Sequence, residues 1–450
     1  MPLLRAAGWL AYQLALGAGL VAAAPTLVLR GRGVGHYLPT LRHRLTLAPR
    51  STSDMPRLWI HAVSVGEVGV AAVLLRALDA SLEASTEGAT LPVVVTTVTP
   101  TGQEQARAAF AERPATRIDY LPFDLGPLVE RFLERHRPAA LVLVEGDYWP
   151  LVLHKARHRG LPVAAINARV SDRAFARQRS IGRINRLFYA GVDRFGTQTA
   201  EDRDRLVELG AASESIDVTG NLKFDAPAPS PRPELEALVR GLADGRPVLV
   251  AGSTMDGEED AVLDAYLGLR ARGHEALLVL APRHPERFDG VAARLAERDV
   301  SILRRSQSAS GEPPRDAPAD VLLLDTLGEL AVAYAYATAA FVGGTLVATG
   351  GHNPLEPARF GVATAVGPSM VNFQAIAEQF DRADAWGRVT SSDELAELWA
   401  RWLASPDEAS AVGARARALV DAGRGAAARS VELLRPLLTP IGLLPATEPS

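Results

Sequence analysis

The chain contains no cysteine. Disulfides, thiolate metal sites and a cysteine nucleophile are therefore excluded. It also lacks a surplus of either charge. Its 48 Lys and Arg against 52 Asp and Glu leave a net charge of -4, which carries no nucleic-acid signature. There is no Gly-x-x-x-x-Gly-Lys-Ser/Thr loop, and Gly-x-Gly-x-x-Gly is missing after the first strand expected in either half. A P-loop enzyme and a dinucleotide-binding dehydrogenase are disfavoured on that ground. Gly31, Gly33 and Gly35 are spaced alike but follow an apolar segment, not a strand. No histidine–carboxylate cluster has the spacing of a zinc site.

Charge is also missing locally. Between Arg5 and Arg30 there is no charged residue. As a helix, residues 6–29 would run about 36 Å, enough to span a bilayer with some tilt. Trp9 and Tyr12 fall near one end, where interfacial aromatics are expected. Arg30, Arg32, Arg42, Arg44 and Arg50 follow, against Arg5 alone before. The positive-inside rule then places the remainder in the cytoplasm. Two alternatives stay open: a cleaved signal peptide ending at Ala22-Ala23-Ala24, and a helix lying in the interface. The arginine flank reads either as a solvated linker or as a surface for anionic lipid headgroups.

What is present is alternation. With 450 residues, the chain is too long for one core. Short apolar, β-branched runs at 58–63, 93–98, 118–121, 140–144, 163–167, 194–197 and 216–219 predict strands of a first half. Amphipathic stretches such as 128–135 and 200–209 separate them. Four prolines between 226 and 233 read as a semi-rigid linker. The pattern resumes at 248–251, 276–281, 300–303, 321–324, 339–342 and 363–366. Strands that are apolar throughout and divided by helices indicate parallel, two-sided sheets. The expected architecture is α/β: two doubly wound Rossmann-like domains with a cleft between them, after an N-terminal membrane-anchor helix. The expected boundaries are 1–50 for anchor and basic flank, 51–225 for the first domain and 226–245 for the linker. The second domain is expected over 246–425, and a C-terminal tail over 426–450, frayed after Pro436. Ligands of such sheets bind beyond the carboxyl ends of the strands.

The candidate residues cluster at those ends. Phe341-Val-Gly-Gly344 runs from a strand into paired glycines, which permit close backbone approach to a ligand. Asn353, Pro354 and Glu356 then read as a helix start whose N–H groups favour an anion. Glu356 is equally explained as half of a capping box. Ser64 and Glu67 have the same box spacing, so Glu67 is either a cap or a general base on a sugar hydroxyl. Glu145-Gly-Asp-Tyr-Trp149 is either a polar turn or a carboxylate facing positive charge that develops on a sugar ring. Lys223 is a solvated charge or reaches a phosphate or carboxylate in the cleft. Arg283 and Arg287 are candidate anion clamps. The turn Asp325-Thr-Leu-Gly-Glu329 is a candidate base pocket.

Taken in order, a set of motifs carries a resemblance. They are His61-Ala-Val-Ser-Val-Gly-Glu67, Thr96-Thr-Val-Thr-Pro-Thr-Gly102, Tyr120-Leu-Pro-Phe-Asp124, Asn167-Ala-Arg169, Gly220-Asn-Leu-Lys-Phe-Asp225, Pro282-Arg-His-Pro-Glu-Arg287, Gly343-Gly344 and Gly351-His-Asn-Pro-Leu-Glu-Pro357. Together they resemble the 3-deoxy-D-manno-octulosonic acid (Kdo) transferases of lipopolysaccharide inner-core synthesis, as far as about residue 425. The resemblance implies the GT-B glycosyltransferase fold, with the nucleotide on the second domain. It implies inverting transfer of Kdo from CMP-Kdo to the lipid A precursor (lipid IVA), with Glu67 as base and Glu145 and Lys223 as transition-state stabilisers. It implies CMP contacts at Pro282, Arg283, Leu327, Gly328, Glu329, Asn353, Pro354, Leu355 and Glu356. No cofactor or obligatory metal is expected. The expected partners are CMP-Kdo, the lipid A precursor and an anionic membrane surface, with no nucleic acid. The expected location is the cytoplasmic face of the inner membrane. One departure stands out: the family's Glu-Thr-Glu-Leu-Trp-Pro-Asn is here Glu145-Gly-Asp147-Tyr148-Trp-Pro-Leu151. The departure leaves one alternative, a catalytically weakened membrane-tethered binding protein, and the fold alone leaves another, a different GT-B enzyme using a UDP-sugar.

Overall fold

The computed structural model describes residues 40–47, 55–83, 90–182, 185–308 and 319–446, with residue 88 and scattered positions between 9 and 22. Two compact units emerge. The first joins Met1–Ala226 to Gly423–Ser450, and the second is Pro227–Ala422.

In the first unit the strands are β1 (Arg57–His61), β2 (Val93–Thr97), β3 (Thr116–Tyr120), β4 (Pro138–Val144), β5 (Val163–Ala168), β6 (Arg194–Thr197) and β7 (Ile216–Val218). They form one parallel sheet in the order β3-β2-β1-β4-β5-β6-β7. The order reverses between β1 and β4, which opens a crevice at their carboxyl ends. Alternation along β1 explains the two layers. Leu58 and Ile60 join one buried cluster, while Trp59 joins the other on the opposite face.

In the second unit the strands are β8 (Val248–Thr254), β9 (Leu277–Pro282), β10 (Ile302–Arg304), β11 (Val321–Leu323), β12 (Ala339–Val342), β13 (Ala363–Val366) and β14 (Gly387–Arg388). The sheet order is β10-β11-β9-β8-β12-β13-β14, again parallel. The reversal here lies between β8 and β12. Each of the thirteen strands expected from sequence is found. The two-residue β14 is too short to leave a hydrophobic pattern.

Two segments differ from expectation. Much of the expected linker is the helix Pro233–Ala243, which buries Leu235, Leu238, Val239 and Leu242. Those positions repeat at helical spacing, and Pro233 suits the first turn. The expected tail instead begins as the helix Ala426–Leu438 and packs on the first unit. Leu433, Leu434, Leu438, Leu443 and Leu444 join the cluster that holds Leu58. Asp225 fastens its start by accepting the Gly425 and Ala427 N–H groups at 2.7 and 2.6 Å.

The expected anchor, residues 6–29, lies largely outside the described residues. Among the described residues no helix is long and apolar enough to cross a membrane. Three of its side chains are placed against the first unit. Tyr12 Oη donates to Asp124 Oδ2 at 2.9 Å, and Gln13 Oε1 accepts the Gly126 N–H at 3.0 Å. The Trp9 ring stacks on His154 at 4.6 Å. Tyr12 and Trp9, read as interfacial aromatics, thus have protein partners here.

Candidate active site

The first unit gathers its chemistry at the β1/β4 reversal. After β1 the chain turns into the helix Val65–Glu83, and Glu67 lies in its first turn. The Val63 N–H donates to Glu67 Oε2 at 2.8 Å, and the Ser64 hydroxyl meets Oε1 at 3.1 Å. The carboxylate thus reaches back to the helix start as a cap would, but to the Val63 N–H rather than that of Ser64, so the reciprocal box read from spacing is met only in part. Burial nevertheless dominates the carboxyl and pushes its pKa up to about 7, and the nearby Glu145 and Asp147 add repulsion. Cap and base are not exclusive readings. The same backbone bond that closes the helix end aims a carboxylate that titrates near neutrality.

Glu145 follows β4 with φ of +64°, and Asn167 near the end of β5 has φ of +52°. A left-handed glutamate costs roughly 1–2 kcal/mol, so the surrounding bonds must hold it. Glu145 Oε1 receives Lys223 Nζ at 2.8 Å and Asn167 Nδ2 at 3.4 Å. Oε2 faces Arg169 Nε at 3.3 Å. Lys223 rides on the short turn Leu222–Asp225, pinned where Asn167 Oδ1 accepts the Leu222 N–H and Asn221 Oδ1 the Lys223 N–H. The structure thus brings Glu145 and Lys223 into direct contact, with Glu67 close enough to sense Glu145.

Asp147, shortened relative to the family motif, accepts the Trp149 indole N–H at 2.8 Å, and His61 Nε2 lies 3.5 Å away. Tyr148 and Leu151, two more of the departures, serve packing. Leu151 is buried in the core, and Tyr148 sits edge-on to Tyr189 at 5.2 Å. His61 and Arg169 are site residues to which sequence reasoning gave no role, and Asp147 shared the reading of Glu145. Their positions at strand ends were the available signal.

The second unit corrects one expectation. The Gly343–Gly344 pair does not leave an open nest of N–H groups. The buried Glu258 carboxylate accepts from Gly344, Thr345 and Leu346 at 2.6, 2.9 and 2.9 Å, and from Met255 at 2.9 Å. The glycines answer to internal crowding. A Cβ on Gly343 would stand 2.4 Å from the Ser253 carbonyl oxygen, and one on Gly344, at φ of +70°, 2.8 Å from the His352 ring. Arg287 is likewise occupied, forked onto Glu259 at 2.7 and 2.8 Å.

Arg283, just beyond Pro282 at the end of β9, differs. It meets no carboxylate among the described residues, yet its charge reaches His352 and Glu356. The Asn353 turn opens a helix of only four residues, Leu355–Ala358. Asn353 Oδ1 accepts the Leu355 N–H at 3.2 Å, and Asn353 Nδ2 donates to Glu356 Oε1 at 3.2 Å. Pro354 and Leu355 are buried beneath the turn. Burial raises the Glu356 pKa against the pull of Asn353, Arg359 and Arg283. Burial, then Arg283 and His284, lowers His352 to about 4, so its ring is neutral at pH 7. Its Nε2 is buried without a hydrogen-bond partner among the described residues. At the third expected patch Leu327 is 71% exposed, Gly328 has φ of +81°, and Glu329 is bound bidentately by Arg305 at 3.0 and 3.1 Å.

Comparison with known proteins bears on both units. Residues 39–226 match the sequence model of a family described as 3-deoxy-D-manno-octulosonic-acid transferase (kdotransferase). The chain is 37% identical over 383 residues to the 3-deoxy-D-manno-octulosonic acid transferase of Bordetella pertussis, covering 84% of this chain and 86% of that one. It is 33% identical over 386 residues to the enzyme of the same name from Haemophilus influenzae, covering 85% and 87%. Among solved structures, a UDP-GlcNAc 2-epimerase from Neisseria meningitidis bound to UDP-GlcNAc superposes with a TM-score of 0.54. It covers 85% of this chain and 100% of that chain at 13% identity, a likeness of fold alone.

Proposed function

The chain belongs to the 3-deoxy-D-manno-octulosonic acid transferase family and is a glycosyltransferase of lipopolysaccharide core synthesis; from that premise we propose how its residues divide the reaction. The donor is CMP-Kdo and the acceptor is a hydroxyl of the lipid A precursor, lipid IVA. Glu67 is the general base, Glu145 and Lys223 stabilise the transition state, and the second unit holds the nucleotide.

The observation that carries this reading is Glu67. A buried carboxylate with a pKa of about 7, beside a carboxylate–ammonium pair at a sheet reversal, is suited to proton abstraction near neutrality. As the acceptor oxygen bonds to the anomeric carbon of Kdo, its proton passes to the Glu67 carboxylate. The bond from that carbon to the CMP phosphate oxygen breaks, and its electron pair leaves with CMP. Positive charge that builds on the ring is opposed by Glu145, and Lys223, 2.8 Å from its Oε1, holds that carboxylate in place. On the second unit Arg283 supplies charge for the single phosphate of CMP. Glu356 accepts from ribose hydroxyls, and the Leu327–Gly328 tip and Glu329 border the base. One phosphate offset by fixed cations needs no obligatory metal, and no cofactor is invoked. The N-terminal segment holds the enzyme at the cytoplasmic face of the inner membrane, where its lipid acceptor diffuses.

The test is direct. Full-length protein mixed with CMP-Kdo and lipid IVA releases CMP, and Glu67→Ala does not. CMP raises the thermal midpoint and UDP does not, since only a ligand of the folded state stabilises it. Wild-type release no faster than that of Glu67→Ala, or stabilisation by UDP alone, overturns the reading.

A further inference from the structure

Glu145 is contacted by two cations, and only one of them is spent. Lys223 Nζ closes on Oε1 at 2.8 Å. Arg169 approaches Oε2 through Nε alone at 3.3 Å, with its side chain 37% exposed. Its two Nη nitrogens meet no acceptor among the described residues. Arg113 and Arg205 of this unit, by contrast, spend their forks internally, on Asp79 and on Asp172 and Glu201. A planar guanidinium with a vacant edge matches a carboxylate bidentately.

The electrostatics of the site call for such a partner. Glu67, Glu145 and Asp147 put three carboxyl groups around the reacting position, since Glu67 senses both of the others. An acid sugar brings a fourth. In a 2-keto acid that carboxylate is bonded to the anomeric carbon, so it enters wherever the reaction occurs. Lys223 already offsets Glu145, so a further cation is needed to receive the sugar carboxylate.

We infer that Arg169 is a specificity-determining residue that binds the carboxylate of the transferred sugar acid through its free Nη edge. The inference rests on the transferase reading and deepens it. A neutral hexose gains nothing from this contact, so Arg169 selects acid sugars. An acceptor phosphate offers the same oxygen pair, but it is not tied to the reacting carbon.

The experiment uses the full chain, two donors and two acceptors. Donors are CMP-Kdo and its methyl ester; acceptors are lipid IVA and its dephosphorylated form. Arg169→Ala is expected to lower kcat/KM for CMP-Kdo about 10- to 100-fold, the range for a charged hydrogen-bonded contact. On the methyl ester, wild type and Arg169→Ala should differ by less than about threefold, because the charge–charge contact is already absent. Arg169→Lys should recover part of the loss on the acid donor alone. An unchanged CMP-induced thermal shift confirms folding, and Arg169→Lys carries the comparison should the alanine variant not fold. Equal losses on both donors would reduce Arg169 to positioning Glu145 and overturn the inference. So would a loss that vanishes only with the dephosphorylated acceptor, and so would no loss at all. A wild type that turns over neither donor sinks the transferase reading instead.

Discussion

The titration of Glu67 can be followed from structure to rate. Its carboxyl is held at a pKa of about 7, mainly by burial and then by Glu145 and Asp147, against an ordinary value of 4.5. As a base it works only when ionised. The kcat/KM for CMP release should therefore climb about tenfold per pH unit below 7 and level off above it. Glu67→Gln keeps an oxygen for the Val63 N–H but cannot accept a proton. It should lower turnover by about 10²- to 10⁴-fold and abolish that acid limb. The same shift predicts a stability effect of opposite benefit. A carboxyl whose folded pKa is raised binds its proton more tightly in the folded state. Its contribution is most favourable below about pH 4.5, declines as pH rises to about 7 and is flat above. Each pH unit in that window is worth about 1.4 kcal/mol, so Glu67→Gln should gain about 3 kcal/mol relative to wild type by pH 8 and almost nothing at pH 4. Because burial outranks the neighbouring charges, Asp147→Asn should move the rate midpoint toward acid by under about one pH unit. Rate profiles paired with thermal unfolding of both proteins from pH 4 to 9 measure all of this. A rate midpoint near 4.5, or an acid limb that survives in Glu67→Gln, would refute the assignment of the base.

Two further outcomes concern the second unit. Arg283→Ala should weaken CMP about 10- to 100-fold, read as a reduced CMP-induced thermal shift with the ligand-free midpoint unchanged, because no ion pair among the described residues is lost. Glu258→Gln replaces one oxygen of a buried acceptor of four N–H groups by a donor. It should destabilise the second unit by about 3 kcal/mol or more by thermal unfolding, and an unchanged midpoint would show that the 343–346 backbone holds without it.

The strands were legible because each is a run of β-branched and apolar residues bounded by turn formers, and a sheet covered on both faces demands that composition. The sites were legible as places for a related reason. A parallel sheet puts every loop that can carry chemistry at its carboxyl edge, so Glu67, Glu145, Arg283 and Asn353 had to fall there. Occupancy was a different matter. Gly343 and Gly344 correctly announced close approach, but nothing near them in sequence says that the approaching group is the carboxylate of Glu258, which follows β8. Arg287 and Glu329 resemble ligand contacts just as well as Arg283 and Glu356 do. They differ only in having Glu259 and Arg305 across the fold.

A motif therefore reports that a group is charged and aimed, while the tertiary partner decides whether the charge is spent. That criterion separates the two arginines that matter here from the many that do not. Arg283 and the outer edge of Arg169 lie at strand ends with no acceptor among the described residues, whereas Arg113, Arg205, Arg287 and Arg305 close on carboxylates. A part-exposed guanidinium is hydrated and costs the fold little by staying unpaired, so each remains available to an anion that arrives with substrate. On the proposed reading that anion is the phosphate of CMP for Arg283 and the carboxylate of the sugar acid for Arg169, and the donor comparison and the CMP thermal shift decide each.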